Sequence, residues 1–587
     1  MKRLVFFLLS WQLHFLSCPG FQDSYFLGNP DECKRAEFVP GYNLAGEGFD
    51  IVKMERKGAY VINMEDWENK NKTCKLRWNS YLKKKQKLPL SVVDWRALSK
   101  CKMVLSSAVY ESSEYLVNES SFAMDNSWKF GLDITADPRF QPSMILAGTH
   151  SRSSEFALKK SKQDKYSFTQ HQVDCQIYRY RLANAPPIKR EFSEALAMLP
   201  SHYNKETKPT YRSFINTYGT HFIKHVRIGG KIKSITSVKT CLASLMKLSM
   251  SAIKDCLDAE VSATIGQAAK VKAETHHCNS LKKNLLHGQS LHATFSERHS
   301  EITGGRIETG DLLFSGDSNP GAYKEWLGSL KEAPDVVTSS LAPLHNLIQK
   351  KNLIARSSLQ KALKDYILEN ALLKTCSRQC SAGSRSSVRD PCACLCQGNG
   401  NSKLATNCCP TGTGVAKLVV KNLKGKGLYG DYFTETDGFV KVSFDRRTEQ
   451  TAVILNNDNP VWKERFNFGS VDLTPASLLN FKVYDDDGIW NTDLLGQCSV
   501  PLRSGAVSDL CALNHGTLYF SYTLECGPSL GGPTCGEYVP SPMSAELMKS
   551  FVSRNAVPLP RSLVAEMMKG YSGLEPSSSS GNRSREE

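Results

Sequence analysis

Ala259–Thr275, AEVSATIGQAAKVKAET, carries two patterns at once. Ala259, Val261, Ala263, Ile265, Ala269, Val271 and Ala273 share one parity, interrupted only by Gln267. The other parity holds Glu260, Ser262, Thr264, Gly266, Ala268, Lys270, Lys272 and Glu274. A strand that crosses a bilayer needs about 9–11 residues with an apolar lipid face and a polar lumen face, and this alternation supplies both. Yet Ala, Glu and Lys favour helix. Strand periodicity on helix composition predicts a segment that is helical in water and inserts as strand. A half-buried strand and an amphipathic helix are the plainer alternatives. His287–Phe295 offers a weaker return strand through Leu291, Ala293 and Phe295. Gly229-Gly230 and Gly304-Gly305 flank the region, and such pairs permit backbone angles that other residues resist. On their own they read as two turns.

The surrounding chain is globular in composition. It has 587 residues, 41% hydrophobic and 22% charged, which excludes wholesale disorder and suggests several domains. The net charge of +16 favours solubility and anionic surfaces without choosing a fold. Lys2 and Arg3, the apolar run Leu4–Leu16 and the small residues at Cys18 and Gly20 read as a secretory signal peptide, residues 1–20. No later run is long and apolar enough for a transmembrane helix. Of 19 cysteines, Cys18 leaves with the signal. Seven lie in Cys33–Cys278, seven in Cys376–Cys409 and four in Cys498–Cys535. If all pair in an oxidising compartment and the last group pairs internally, at least one bridge must join the first two groups. Asn71, Asn118 and Asn582 head glycosylation sequons.

Glu191–Leu199 and Ser357–Leu373 have helical apolar spacing, and Arg179–Leu182 and Val226–Thr236 look like strands. Residues 21–375 therefore form a mixed α+β domain. Residues 376–410 are cysteine-dense, too poor in apolar residues for a core of their own, and resemble an EGF-like module. Zinc at Cys392, Cys394 and Cys396 is the weaker alternative. Residues 411–527 alternate as short strands, with Leu418/Val420, Val440/Val442 and Phe481/Val483 inward, which predicts a β-sandwich. Residues 528–587 read as a partly ordered tail ending in disorder.

Two acidic loops punctuate the sandwich, Gly430–Asp437 and Asp485–Asp493. Carboxylates converging from two loops are the hard oxygen ligands that Ca²⁺ takes, and without a cation they would repel. Tyr429, Tyr432, Ile489 and Trp490 on the same loops suit a membrane interface, with loop packing as the alternative. With Asn459-Pro460-Val461-Trp462 and Asp485-x-Asp487, this part resembles a C2 domain. That resemblance makes Asp431, Asp437, Asp485, Asp487 and Asp493 the calcium ligands. Gly425–Gly430 matches G-x-G-x-x-G, but acidic loop and strand follow it where a dinucleotide site needs a helix. No G-x-S-x-G, H-E-x-x-H or P-loop motif is present, and His276-His277-Cys278 lacks further spaced ligands, so no enzyme is expected. Lys83–Lys85 and Lys282-Lys283 lack interleaved aromatics, so no nucleic acid is expected.

Tyr218-Gly219-Thr220-His221-Phe222 resembles the signature of the membrane-attack-complex/perforin (MACPF) family. Chemistry alone would leave His221 a satisfied core histidine. With the EGF-like and C2 parts in this order, the resemblance covers nearly the whole chain. It implies a MACPF/CDC-like domain with a bent antiparallel sheet and helical clusters, a small EGF-like module and an all-β C2 sandwich. It implies two clusters that unfurl into transmembrane β-hairpins, within about His150–Phe168 and Leu242–His299, with the glycine pairs easing the sheet's bend. The first window alternates poorly, because Lys159, Lys160 and Lys162 sit beside Phe156 and Leu158. The resemblance also implies a homo-oligomeric ring or arc on phospholipid membrane, immune cytolysis, storage in acidic secretory granules and co-delivered granule proteases. A non-lytic, calcium-dependent membrane-binding protein of the same family is the alternative.

Overall fold

The computed structural model describes residues 25–98, 104–111, 113, 116–117, 126–134, 144–161, 163–266, 297–307, 312–314, 321–376, 401–430, 434–488, 492–540 and 554–569. In chain order the first part holds strands β1 (Glu47–Asp50), β2 (Glu55–Tyr60), β3 (Val92–Ala97), β4 (Val104–Tyr110) and β5 (Met144–Ile145), then helix α1 (Arg152–Ser161). Strand β6 (Tyr166–Leu182), helix α2 (Lys208–Tyr218) and strand β7 (His221–Lys239) follow. Helices α3 (Thr240–Leu245) and α4 (Met250–Thr264) precede β8 (Arg298–Thr303). Helix α5 (Ala322–Ser329), strand β9 (Asp335–Pro343), helix α6 (Leu353–Glu369) and strand β10 (Leu372–Cys376) come last, and shorter elements lie between those named.

Strands β6 and β7 are the spine of an antiparallel sheet of eight strands among the described residues. They pair from His225↔Arg181 to Lys239↔Tyr166. Along one side, β3 pairs the upper half of β6 and β4 the lower half. Along the other, β9 pairs the upper half of β7 and β8 the lower half. Four strands, β4-β6-β7-β8, thus run abreast at one end. Val173, Ile228 and Ile232 are buried in the main core with Trp95, Tyr178 and Trp326. Burial of these β-branched and aromatic side chains on one face is what makes the strands long. The windows Arg179–Leu182 and Val226–Thr236 fall inside β6 and β7, which run well beyond them.

The second part is a sandwich. Its strands are β11 (Val415–Lys426), β12 (Gly438–Phe444), β13 (Arg447–Gln450), β14 (Val461–Trp462), β15 (Phe466–Asp472), β16 (Leu478–Asp486), β17 (Thr492–Pro501), β18 (Gly505–Leu513) and β19 (Gly516–Cys526). One sheet has the order β14-β11-β19-β18 with β15 on β11, and the other β13-β12-β16-β17. Leu418, Val420, Val440, Val442, Phe481 and Val483 fill the space between them. Among the described residues no helix opens after Gly425–Gly430; β11 ends at Lys426 and β12 starts at Gly438.

The bridge required between the first two cysteine groups is Cys241–Cys409, and the last group pairs as Cys498–Cys511 and Cys526–Cys535. Cys33–Cys74 closes a loop near the N-terminus, and Cys175, Cys256 and Cys408 are also disulfide-bonded. Cys392, Cys394 and Cys396 lie outside the described residues.

The C-terminal segment, read as a partly ordered tail, packs back onto the first part where it is described. Strand β20 (Arg554–Pro558) pairs with β10, and helix α7 (Arg561–Lys569) follows. Leu559 and Val564 are buried in the main core of the first part. Leu563, Val564, Met567 and Met568 have the helical spacing that carries this signal, but one nine-residue helix is too short to stand out beside proline- and serine-rich neighbours.

Candidate functional site

The signature residues are structural. Tyr218 ends α2, and Gly219 turns the chain with φ +77°. A Cβ on Gly219 would stand 2.6 Å from the Phe49 carbonyl carbon and oxygen, so only glycine fits. Thr220 and His221 are fully buried, and Phe222 nearly so. The Ile51 N–H donates to Thr220 Oγ1 (3.0 Å), and the Thr220 hydroxyl lies 2.7 Å from His221 Nδ1. His221 Nε2 lies 3.0 Å from the Trp128 carbonyl, which can only accept, so the proton sits on Nε2, and Nδ1 shares the single Thr220 hydroxyl hydrogen with the Phe49 carbonyl (3.1 Å). Burial pushes the imidazole down to about 3, against the Trp128 hydrogen bond and helped by His345. A neutral, fully bonded histidine is a core brace.

The two glycine pairs meet. Along β7, the partner strand changes from β9 to β8 at Gly229-Gly230. A Cβ on Gly304 (φ +74°) would lie 2.2 Å from the Gly229 carbonyl oxygen, and one on Gly229 2.0 Å from that of Cys175. A Cβ on Gly230 or Gly305 would strike the Trp326 ring at 2.5 Å. The Trp326 indole N–H donates to the Gly304 carbonyl at 2.9 Å. The glycines therefore sit at the seam of the sheet, where α5 seats an indole against them. They are not two independent turns, and Trp326 had no signal in the local pattern.

Both helical segments leave the same end of the sheet. One connects β4 to β6, whose ends pair at Tyr110↔Phe168, and contains α1. The other connects β7 to β8, paired at Thr236↔Arg298, and contains α3 and α4. Helix α1 lies inside the His150–Phe168 window, whose last residues already belong to β6. Helix α4 docks on the sheet through Asp258, which accepts from Ser107 Oγ (3.1 Å) and bonds His171 Nε2 (2.9 Å) and Lys254 Nζ. Ala259–Ile265 is helix and helix cap, with Val261 0% and Ile265 6% exposed in the main core and Ala263 exposed to solvent. Ala269, Val271 and His287–Phe295 lie outside the described residues. No described helix is long and apolar enough to cross a membrane, which says nothing of strands.

Helix α3 starts at the bridged Cys241 side of the junction, and Leu245 packs against the sandwich core. Lys165 Nζ donates to the Asn407 carbonyl at 2.8 Å, and the Tyr538 hydroxyl donates to Asp164. The lower ends of β6 and β7 are thus clamped to the cysteine-rich module and to the segment after the sandwich.

The acidic loops converge where β12, β16 and β17 meet. Gly438 pairs with Asp485, and Asp485 with Asp493. Asp485 is buried, and its Oδ1 accepts from the Asp437 N–H at 2.7 Å. Its Oδ2 lies where a Cβ on Gly430 would be, 1.7 Å away, so the first loop can close over it only with glycine there. Asp437 Oδ1 accepts from the Asn456 N–H at 2.7 Å. Asp487 is exposed beside them. The donor set is all carboxylate oxygen from adjacent loops, which fits a hard cation. Among the described residues alone, no three such side chains stand close enough to hold one. Asp431, Tyr432, Ile489 and Trp490 lie outside the described residues. Tyr429 is 55% exposed, stacked on His515 with its hydroxyl donating to the Asn514 carbonyl. Asn71 is exposed in a turn, and Asn118 and Asn582 lie outside the described residues.

Family models match three consecutive parts of the chain: the MAC/Perforin domain at residues 39–375, the Perforin-1-like EGF domain at 375–411 and the C2 domain at 416–516. Perforin-1 of Homo sapiens is 38% identical over 519 residues, covering 88% of this chain and 93% of that protein. Complement component C9 of Oncorhynchus mykiss is 23% identical over 421 residues, covering 65% of this chain and 71% of its own. A solved structure of a C2 domain is 34% identical, with a TM-score of 0.17, covering 19% of this chain and 98% of its own.

Proposed function

The chain belongs to the MAC/Perforin family, and we propose that it is a secreted, pore-forming cytolytic effector that docks through its C2 domain, oligomerises and inserts two β-hairpins per subunit. One observation carries this reading: both helical segments join antiparallel neighbours at one end of the sheet, Tyr110↔Phe168 and Thr236↔Arg298. Straightened in register, they extend β4-β6-β7-β8 as four adjacent strands. Residues 240–297 supply 58 residues for the second segment, and half of them, at about 3.3 Å per residue, reaches roughly 95 Å, well beyond the ~30 Å of a bilayer. The first draws on α1 and its flanks, because Trp128, Leu132 and β5 earlier in the same connection belong to the core.

The register assigns residues. Continuing from Thr236↔Arg298 sets Val261 opposite Ala273, Ala263 opposite Val271 and Ile265 opposite Ala269. Ala259–Thr275 is then two arms about a turn, and the parity-breaking Gln267 falls at that turn. All the odd-numbered apolar residues share the lipid face. Open strand edges leave backbone groups unsatisfied in lipid, so the barrel must close, and several copies must contribute. Copies would join through the outer edges of β4 and β8.

Asp431, Asp437, Asp485, Asp487 and Asp493 are the residues to hold Ca²⁺, which would cancel their mutual repulsion and draw the loops to phospholipid headgroups. Tyr429, Tyr432, Ile489 and Trp490 would then enter the interface. Protonation competes with Ca²⁺ for these carboxylates, so acidic storage granules would hold the protein inactive. Delivery of granule proteases, glycosylation at Asn71, Asn118 and Asn582, and passage from granule to target plasma membrane complete the reading. No enzymatic activity is proposed. The test is flotation with phosphatidylcholine vesicles at pH 7.4 and at pH 5, with and without Ca²⁺. Binding should require Ca²⁺ and weaken at pH 5; calcium affinity unchanged between the two pH values would count against the acid-storage step.

A further inference from the structure

Helix α1, in the first segment, is seated on β8, the strand that closes the second. Glu297, His299 and Glu301 alternate onto one face at the start of and along β8. Ser153, Phe156 and Lys160 lie three and four residues apart on one face of α1. The two faces meet. Lys160 forms an ion pair with Glu297. The Phe156 and His299 rings stack with centroids 5.5 Å apart. Ser153 Oγ donates to Glu301 Oε1 (3.0 Å), and Lys233 Nζ of β7 donates to Ser153 Oγ (3.1 Å). His299 Nε2 also bonds Glu301 Oε1 at 3.0 Å. Glu301 thus gathers one group from α1 and one from β8, and Lys233 of β7 joins it through Ser153. Burial raises its carboxyl, but the His299 bond, the Lys233 charge and the Ser153 bond outweigh this and hold it at about 2, ionised throughout the working range.

We propose that Glu301 is a positioning residue that latches α1 onto β8, so that the two helical segments are released together. The inference rests on the hairpin reading above. If β8 shifts, α1 loses its ion pair, its ring contact and its carboxylate at once. If α1 leaves, Glu301 and Lys233, cross-strand partners on β8 and β7, lose the Ser153 hydroxyl that bonds both, which disfavours departure of one segment alone.

The test has a soluble arm and a membrane arm, both on the full chain. In solution, amide hydrogen exchange is followed in Ser153→Ala and Glu301→Ala, with Glu301→Gln as the conservative variant. Ser153→Ala, a change on α1, should speed exchange in β8 roughly tenfold, the loss of one charge-assisted hydrogen bond. Glu301→Ala should do the same to α1, and Glu301→Gln, which can still accept from Ser153, should restore part of the protection. On calcium-loaded phosphatidylcholine vesicles, an environment-sensitive fluorescent amino acid replaces the exposed Glu155 of α1 or Asp255 of α4. Glu301→Ala should quicken the fluorescence change at both positions by a similar factor. Exchange that changes only in the mutated element overturns the latch, as does acceleration at one position or at neither. Coupled exchange in solution with no fluorescence change even in the unmodified sequence would keep the latch and overturn the hairpin reading.

Discussion

Glycine at position 304 is required on two counts: φ is +74°, and a Cβ would lie 2.2 Å from the Gly229 carbonyl oxygen. Gly304→Ala should cost about 2 kcal/mol or more in a denaturant titration, through strain and displacement of the neighbouring strand. A midpoint equal to the unmodified protein's would contradict the seam described above. His221 has a pH signature. In the unfolded chain it takes up a proton near pH 6.5, whereas in the fold it stays neutral down to about 3. The unfolded state therefore binds more protons between those values, and stability falls as pH drops through that window, by at most about 1.4 kcal/mol per unit. The slope should flatten in His221→Gln, measured by thermal unfolding between pH 7 and 4. At this scale the sequence was partly legible. Converging carboxylates and paired glycines announce themselves through repulsion and backbone freedom. His221 announces nothing, because its partners, Thr220 and the Trp128 carbonyl, are joined only by the fold.

At the scale of elements, the inserting stripe must serve two environments. Val261 and Ile265 are core residues of the soluble form as well as lipid-facing residues of the proposed hairpin. Aspartate at either position would unfold or loosen α4 before any membrane is met, so such variants cannot separate docking from insertion. Ala263 separates them, being exposed in the helix and on the lipid parity of the strand. Ala263→Asp should leave the unfolding temperature and vesicle binding unchanged and abolish dye release, each strand placed in lipid carrying a carboxylate at a cost below the ~2–4 kcal/mol of a basic residue there. Release at the unmodified rate would contradict the register. The same register sets Cys278 opposite Cys256, and opposed strand residues lie within disulfide reach. Peptide mapping of the oxidised protein should find Cys256 joined to Cys278; another partner would break the proposed alignment. The second segment is readable in sequence as a candidate hairpin because its alternation lies within one stretch. The first was not: Lys160 breaks the pattern, yet it is buried on α1 and paired with Glu297, a relation between residues far apart in sequence.

At the scale of the whole molecule, three covalent or polar ties bind the sheet's lower end to the C-terminal modules: Cys241–Cys409, Lys165 to Asn407 and Tyr538 to Asp164. A membrane-docked C2 domain would thereby fix where the hairpins start. The C-terminal strand and helix close the other circuit, since β20 adds to β10 and α7 covers α6. A chain ending at Lys569 serves as the reference for a shorter truncation. Removing residues from Arg554 onward takes Leu559 and Val564 out of the core, bares the edge of β10 and the face of α6, and should cost at least about 3 kcal/mol, judged from the area those two side chains bury. Equal stability of the two truncations would mean the segment is not part of the core. Domain order was legible from cysteine density and from the change to period-two patterning. This return of the chain was not, because strand addition by five residues depends on an edge that only the folded first domain presents.

The proposed sequence of events runs from calcium-dependent docking to hairpin insertion and a pore. Dye release from neutral phosphatidylcholine vesicles at pH 7.4, with Ca²⁺ and with chelator, measured beside flotation of the same samples, tests it most directly. Binding and release should both appear with Ca²⁺ and both vanish without it. Calcium-dependent binding with the dye retained would contradict the pore and leave a non-lytic membrane-binding protein, and release that ignores the chelator would remove the acidic loops from the pathway.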